Sequence, residues 1–210
     1  MSVGKIPMTF DMVKDIVAAG EITKLYRSEA GLSQYHKFKS EMKAKGINVT
    51  TNLLINKLFW VPKSTPQTLP PDYVIDNLVH YTDARPFANK NDIIVTPNSF
   101  PYYLTDNLSH LCVWIKSPML PDPKSDIGDI SVHDKHLIEE YINETFVKWL
   151  GISRENIVWF KNWASLQSVK SIPHVHVIVK DLSKEQYDKV VNTPGVPLNY
   201  TVLESKLSKL

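Results

Sequence analysis

In the first third of the chain, apolar residues recur at helical spacing; further on they form strand-like runs. Thr9 is placed to cap a helix over "FDMVKDIVAAG", with Phe10, Val13, Ile16 and Val17 on one stripe and Gly20 at its stop. A second helix is expected from about Ser33 to Lys45, with Tyr35, Phe38 and Met42 on one side and Gly46 at its end. "TTNLLINKLFW" continues the helical tendency until four prolines between Pro62 and Pro71 force an extended loop, and residues 72–79 suit one short helical turn. "NDIIVTPNSFPYYL" then reads as a strand entering a proline-rich turn. "SHLCVWIKSP" is apolar almost throughout and so central in its sheet. The longest helical signal is "SVHDKHLIEEYINETFVKWLG". There Leu137, Tyr141, Thr145 and Lys148 share one edge, Ile138, Ile142, Phe146 and Trp149 form the apolar stripe, and Gly151 is the stop. "ENIVWFKNW" and "IPHVHVIVKDL" are two more strands, and Ser183 with Gln186 forms a capping box for a last helix through Val191. Helices first, then strands with one long crossover helix, predict an α+β fold with a mainly antiparallel sheet.

The 210 residues suffice for one well-buried core, so a single domain is expected: a helical segment over 1–60, a proline-rich connection over 61–90 and the α+β core over 91–210. The 24 basic and 22 acidic residues are interspersed, which argues against nucleic acid as the main partner. Cys112 is the only cysteine, so an intrachain disulfide is excluded, and its apolar setting suggests an inert buried thiol. No apolar run reaches the ~20 residues of a membrane span, and the N-terminus lacks the apolar stretch of a signal peptide. A cytoplasmic or nuclear protein with no membrane partner is the expectation.

Strand alternation sends Val175, Val177 and Val179 to one face, and His174, His176 and Ile178 to the other, with the valine face in the core. The two imidazoles, about 7 Å apart by the strand repeat, are either hydrogen-bonded packing at a sheet surface or a working site. A metal site would need a third ligand, for which His110 is the remote candidate, so we assign no metal and no cofactor. A paired His-x-Thr phosphoesterase would need a second copy of its motif, which "HLC" at His110 does not supply. Nucleophilic attack on phosphorus by a neutral imidazole remains, supported by a neighbouring histidine and polar amides.

Lys161, Asn162, Trp163, Ser165, Gln167 and Ser168 make a polar connection between two strands, useful for gripping phosphate or else an ordinary loop. The planar fork of Arg85 would suit the same anion. Asn98, Phe100, Tyr102 and Tyr103 in the proline-rich turn form a candidate wall for a base or sugar, with His110 nearby.

Two resemblances add to this reading. "QSVKSIPHVHVIV" resembles the histidine-triad (HIT) signature, and "NSFPYY…SHLCVWIKSP" resembles the base-pocket turn and following strand of that superfamily. Matched at its end, the motif puts the nucleophilic middle histidine on His174 and the last on His176, with Gln167 as the phosphate-holding glutamine. The first histidine position falls on Ile172. The resemblance implies a HIT-like sheet, a hydrolase or transferase acting on a nucleotide or nucleotide-sugar phosphate, and a homodimer. "LYRSEAGLSQY", "NDIIVTPNSFPYY", "SHLCVWIKSP" and "IVWFKNWASLQSVKSIPHVHV" resemble, over nearly the whole chain, the fungal N-acetylglucosamine-induced protein family, which implies a link to amino-sugar metabolism but no reaction. The catalytic candidates are thus His174 and His176. The substrate-binding candidates are Gln167, Asn162, Ser165, Ser168, Lys161, Arg85, Asn98, Phe100, Tyr102 and His110, and the ligand is a small phosphate compound. A non-catalytic phosphosugar-binding protein and a metal-dependent enzyme are the alternatives.

Overall fold

The computed structural model describes residues 3–163, 166, 169 and 172–207. Four strands, β1 (Ile93–Pro97), β2 (Leu108–Ile115), β3 (Ile157–Phe160) and β4 (His174–Lys180), form one sheet in the order β1-β2-β4-β3. Every neighbouring pair is antiparallel. β2 and β3 therefore run parallel with β4 inserted between them, and parallel strands need a long crossover. Helix α5 (Val132–Ile142), extended by wider π-helical turns over Asn143–Trp149, lies in that crossover. The uninterrupted apolar run of β2 fits its central place, flanked on both sides.

Alternation gives the sheet two different faces. Val95, Leu111, Val113, Ile115, Val175, Val177 and Val179 pack with Leu137, Ile138, Tyr141, Ile142 and Phe146 into the largest core cluster. The register places Cys112 opposite His176 and Trp114 opposite His174, so His110, Cys112 and Trp114 share the other face with the histidines of β4. That face is not a free sheet surface. Helix α1 (Phe10–Ala18) and the segment after it cover Val158, Phe160 and Ile178, while α3 (Val49–Asn56) and α4 (Pro71–Leu78) cover Ile94, Cys112 and Trp114. Two apolar clusters thus flank the histidines. The helical segment over 1–60 supplies Leu54, Ile55 and Leu58 to one of these clusters and Met8, Phe10, Val13, Ile22 and Leu25 to the other.

Local signals explain the helix ends. Thr9 Oγ1 accepts from Met12 N (3.3 Å), and Asn48 Oδ1 accepts from Thr50 N and Thr51 N to start α3. Ser28 Oγ accepts from Gly31 N, so α2 (Glu29–Ala44) begins four residues before the expected Ser33. The capping box of Ser183 and Gln186 opens α6 (Lys184–Val190). A further helix, α7 (Tyr200–Leu207), was not anticipated. The expected stripe of α5 is correct through Phe146. Beyond it the wider turns carry Trp149 to a partly buried place and bring Leu150 inward instead. Thr145 Oγ1 there accepts from Val196 N (3.0 Å), fastening the C-terminal segment.

Because α3 is core rather than appendage, Leu54→Ala, at a site with no exposure, should cost about 2–5 kcal/mol. Urea denaturation should show this as a shift of one cooperative transition; a separate early transition would mean that the N-terminal helices melt on their own.

Candidate functional site

Between the two apolar clusters on the histidine face lies a cavity of about 310 Å³, lined by His174, His176, Asn162, Arg27, Tyr102, Phe100, Asn98, Cys112 and Trp114 among others. His174 and His176 enter it from β4, their ring centroids 5.3 Å apart and edge to face. Each imidazole leans on an aromatic ring. His174 stacks on Trp114 (4.4 Å), His176 on Phe160 (5.0 Å) and His110 on Tyr102 (5.2 Å).

Hydrogen bonding decides which nitrogen of His174 is available. Nδ1 lies 2.9 Å from the carbonyl of Ile172. A carbonyl only accepts, so Nδ1 carries the proton and Nε2 keeps its lone pair. Burial pushes the His174 imidazole down to about 4, against the pull of that carbonyl, and Lys161 lowers it further. His174 is 5% exposed and neutral at physiological pH.

His176 and His110 form a linked pair. Nδ1 of His176 lies 3.0 Å from Nε2 of His110, and its Nε2 lies 3.1 Å from the amide of Asn162. Asn98, oriented by the bond from Phe100 N to its Oδ1 (3.0 Å), presents Nδ2 to His110 Nε2 at 3.1 Å. Burial drives His110 down to about 3, helped by Arg27, and drives His176 well below its ordinary value, helped by His110, His174 and Arg27.

His110, Cys112 and His176 bring three metal-type donor atoms within 4.8 Å of one another. Among the described residues this is the set that could hold a zinc-like ion; it keeps His176 and the expected third ligand His110, with Cys112 in the place of His174. In this structure the two imidazole nitrogens are hydrogen-bonded to each other at 3.0 Å. Burial pushes the Cys112 thiol up to about 12, although Lys57 favours its thiolate. An ion held here would have to part the first contact and displace the thiol's proton.

The cavity cation is Arg27, which sequence reasoning missed. It lies between a short 3-10 turn and the cap of α2. Its Nε donates to Phe100 O (3.0 Å), and its guanidinium sits 5.0 Å from the Tyr35 ring and 5.8 Å from the Tyr102 ring. Burial lowers its pKa, with Tyr102 and Tyr35 acting the other way. No local motif marks it, because the turn over residues 98–102 that it holds lies about 70 positions away. Arg85 stands elsewhere, on the surface, paired with Asp83 (2.7 Å) and packed over the Tyr200 ring. Lys161 lines a different cavity from His174. Gln167, Ser165 and Ser168 lie outside the described residues.

A groove of about 300 Å³ joins the cavity, sharing Tyr35, Asn98, Phe100, Cys112 and Trp114 with it, and extends between Phe38 and Leu53 to Asn52, Asn56 and Lys57. Lys57 Nζ donates to Pro97 O and Ser99 Oγ, which pins the turn after β1 to α3.

Comparisons with known proteins place this arrangement. Residues 9–180 match the family described as a protein of unknown function, DUF3605. N-acetylglucosamine-induced protein 1 of Candida albicans is 38% identical over 188 residues, covering 89% of this chain and 73% of that protein. The uncharacterized protein YPL067C of Saccharomyces cerevisiae is 24% identical over 171 residues, 81% of this chain and 77% of its own. The crystal structure of HTC1 shares the fold, with a TM-score of 0.69 and 23% identity, over 91% of this chain and 99% of that one. Among the described residues no helix is long and apolar enough to cross a membrane.

The buried imidazoles tie stability to pH. Their folded values lie below the ordinary 6.5 of the unfolded chain. Above 6.5 both states are neutral and no stability is lost; below it only the unfolded state takes up protons. Stability should therefore fall as pH drops from about 6.5 toward 4 and 3, by up to about 1.4 kcal/mol per pH unit for each histidine. Urea midpoints at pH 7.5, 6 and 5 measure this, and His110→Asn should flatten the slope.

Proposed function

This chain belongs to the DUF3605 family, and from that premise we propose that it is a HIT-like hydrolase or transferase acting on a nucleotide or nucleotide-sugar phosphate. The observation that carries the reading is His174, which lines a buried cavity together with Arg27 and whose Nδ1 is tied to the Ile172 carbonyl, leaving the lone pair on Nε2. A neutral imidazole can attack phosphorus without first losing a proton. As Nε2 bonds to phosphorus the ring becomes cationic, and the Ile172 carbonyl that holds Nδ1–H stabilises that charge. Arg27 and Asn162 line the same cavity; in this reading Arg27 meets the phosphoryl oxygens and Asn162 donates to them. Water then cleaves the phosphohistidine, or an acceptor hydroxyl takes the phosphoryl group.

The same cavity narrows the leaving group. Among the described residues its lining has no carboxyl group, and its two imidazoles, His174 and His176, are neutral at physiological pH, as is His110 behind them. A leaving group that needs a proton is poorly served there. A phosphate departs as a stable anion, so a phosphoanhydride suits the site better than a simple phosphate ester. The sugar link rests on the Candida relative, whose name records induction by N-acetylglucosamine.

His174→Ala should lower turnover of nucleotide sugars and dinucleotides by about 10⁴-fold or more and abolish acid-labile phosphohistidine. His176→Ala, which removes only a supporting ring, should cost about a hundredfold. Full activity in His174→Ala rejects the nucleophile. Tight binding of these compounds by a wild-type protein that never turns them over would instead favour a binding protein, the reading that Ile172 in the first histidine position supports.

Arg27→Met should raise KM for the same substrates at least tenfold, because it removes a charge-assisted contact to phosphate. Steady-state kinetics decide, and an unchanged KM would place the phosphate elsewhere.

A further inference from the structure

A second cavity, of about 640 Å³, lies beyond the wall that closes the histidine site. The two chain segments of that wall divide between the cavities. Lys161, Ile172 and Pro173 face the larger one, while Asn162 and His174 face the smaller. Lys161 is 9% exposed, yet its ammonium makes no hydrogen bond and no ion pair among the described residues. Its nearest carboxylate influences, Asp129 and Asp134, act at a distance, and both are engaged with other partners, Lys135 and Ser131. An ammonium group carries three donors, and here no protein group among the described residues takes them, so they are left to whatever occupies the cavity. Lys116, on the same cavity, is already shared with Asp92 (3.7 Å) and lies over the Trp60 ring (5.4 Å). Against these two cations the lining supplies, among the described residues, one carboxylate, Asp76. The remaining wall is largely apolar and aromatic, with Trp60, Tyr81 and Met119 as its larger side chains.

We propose that this cavity is a second ligand site, which takes the phosphate group of an organic phosphate on Lys161, with Lys116 in support, and its apolar body against Trp60. Because the wall at Lys161–Asn162 and Ile172–His174 separates the two cavities, the ligand is a molecule separate from the one at His174. It bears on that site through Ile172, which lines the second cavity while its carbonyl orients His174.

Each cavity has its own tryptophan, Trp60 in the second and Trp114 in the first. Full-length protein labelled with 5-fluorotryptophan is titrated with phenyl phosphate and followed by fluorine NMR. The Trp60 resonance should shift to saturation. Lys161→Met, which keeps the buried stem, should weaken that response at least tenfold and leave the Trp114 response unchanged, whereas Lys161→Arg should retain most of it. Thermal melts establish that each variant is folded. A Trp60 signal that is silent, that titrates equally in Lys161→Met, or that responds as strongly to uncharged benzyl alcohol overturns the site. Trp60 responding while Trp114 stays silent supports this site and counts against the phosphate-binding reading of the histidine cavity.

Discussion

Three imidazoles on one face of a sheet can be buried only as neutral groups with hydrogen-bond partners, and much of the structure follows from that constraint. The register of β2 against β4 creates the problem by placing His110, Cys112, His174 and His176 together. The partners resolve it: the Ile172 carbonyl for His174, and the His110–His176 link, with Asn98 at the shared nitrogen of His110 and Asn162 at the far nitrogen of His176. Stacking on Trp114, Phe160 and Tyr102 fills the space around the rings without adding charge. The apolar covering therefore divides into two clusters, and the cavity is the gap between them.

The N-terminal segment completes the cavity. Met8 N donates to Tyr103 O, Tyr103 N donates to Tyr26 O, and Arg27 Nε donates to Phe100 O, so the chain before α2 is sewn to the turn after β1. Lys57 fixes the start of that turn from α3. Only when these contacts form do Arg27 and Tyr35 stand beside β4. The site is therefore a property of the closed fold, and loosening α1 or α3 would admit water to imidazoles whose neutrality depends on dryness.

What the sequence revealed, and what it hid, follows from the range of each interaction. Short-range signals read correctly: the Thr9 cap, the Ser183–Gln186 box, the apolar run of β2 and the alternation in β4 each depend on residues a few positions apart. The split of β2 by alternation already places His110 with Cys112 and Trp114, but only the pairing register brings them against His174 and His176. Arg27 was invisible because its partners are distant in sequence, whereas Arg85 looked attractive only because it is a lone arginine in a loop. The π-helical turns, which displace Trp149 from the stripe, carry the tie between Thr145 and Val196, 51 residues apart, and no local pattern announces it.

Burial also sets the balance between stability and chemistry. A solvent-exposed histidine would be partly protonated near neutral pH and to that extent useless as a nucleophile. Desolvation removes that competition by holding His174 at about 4, and the Ile172 carbonyl fixes which nitrogen keeps the lone pair. The same desolvation carries a penalty in acid, where the unfolded chain gains protons that the folded chain refuses. It also strengthens the field of Arg27 on any phosphate that enters, since few waters screen it. One physical change, the exclusion of water from this face of the sheet, thus keeps the imidazole neutral, orders its neighbours and makes the fold sensitive to acid.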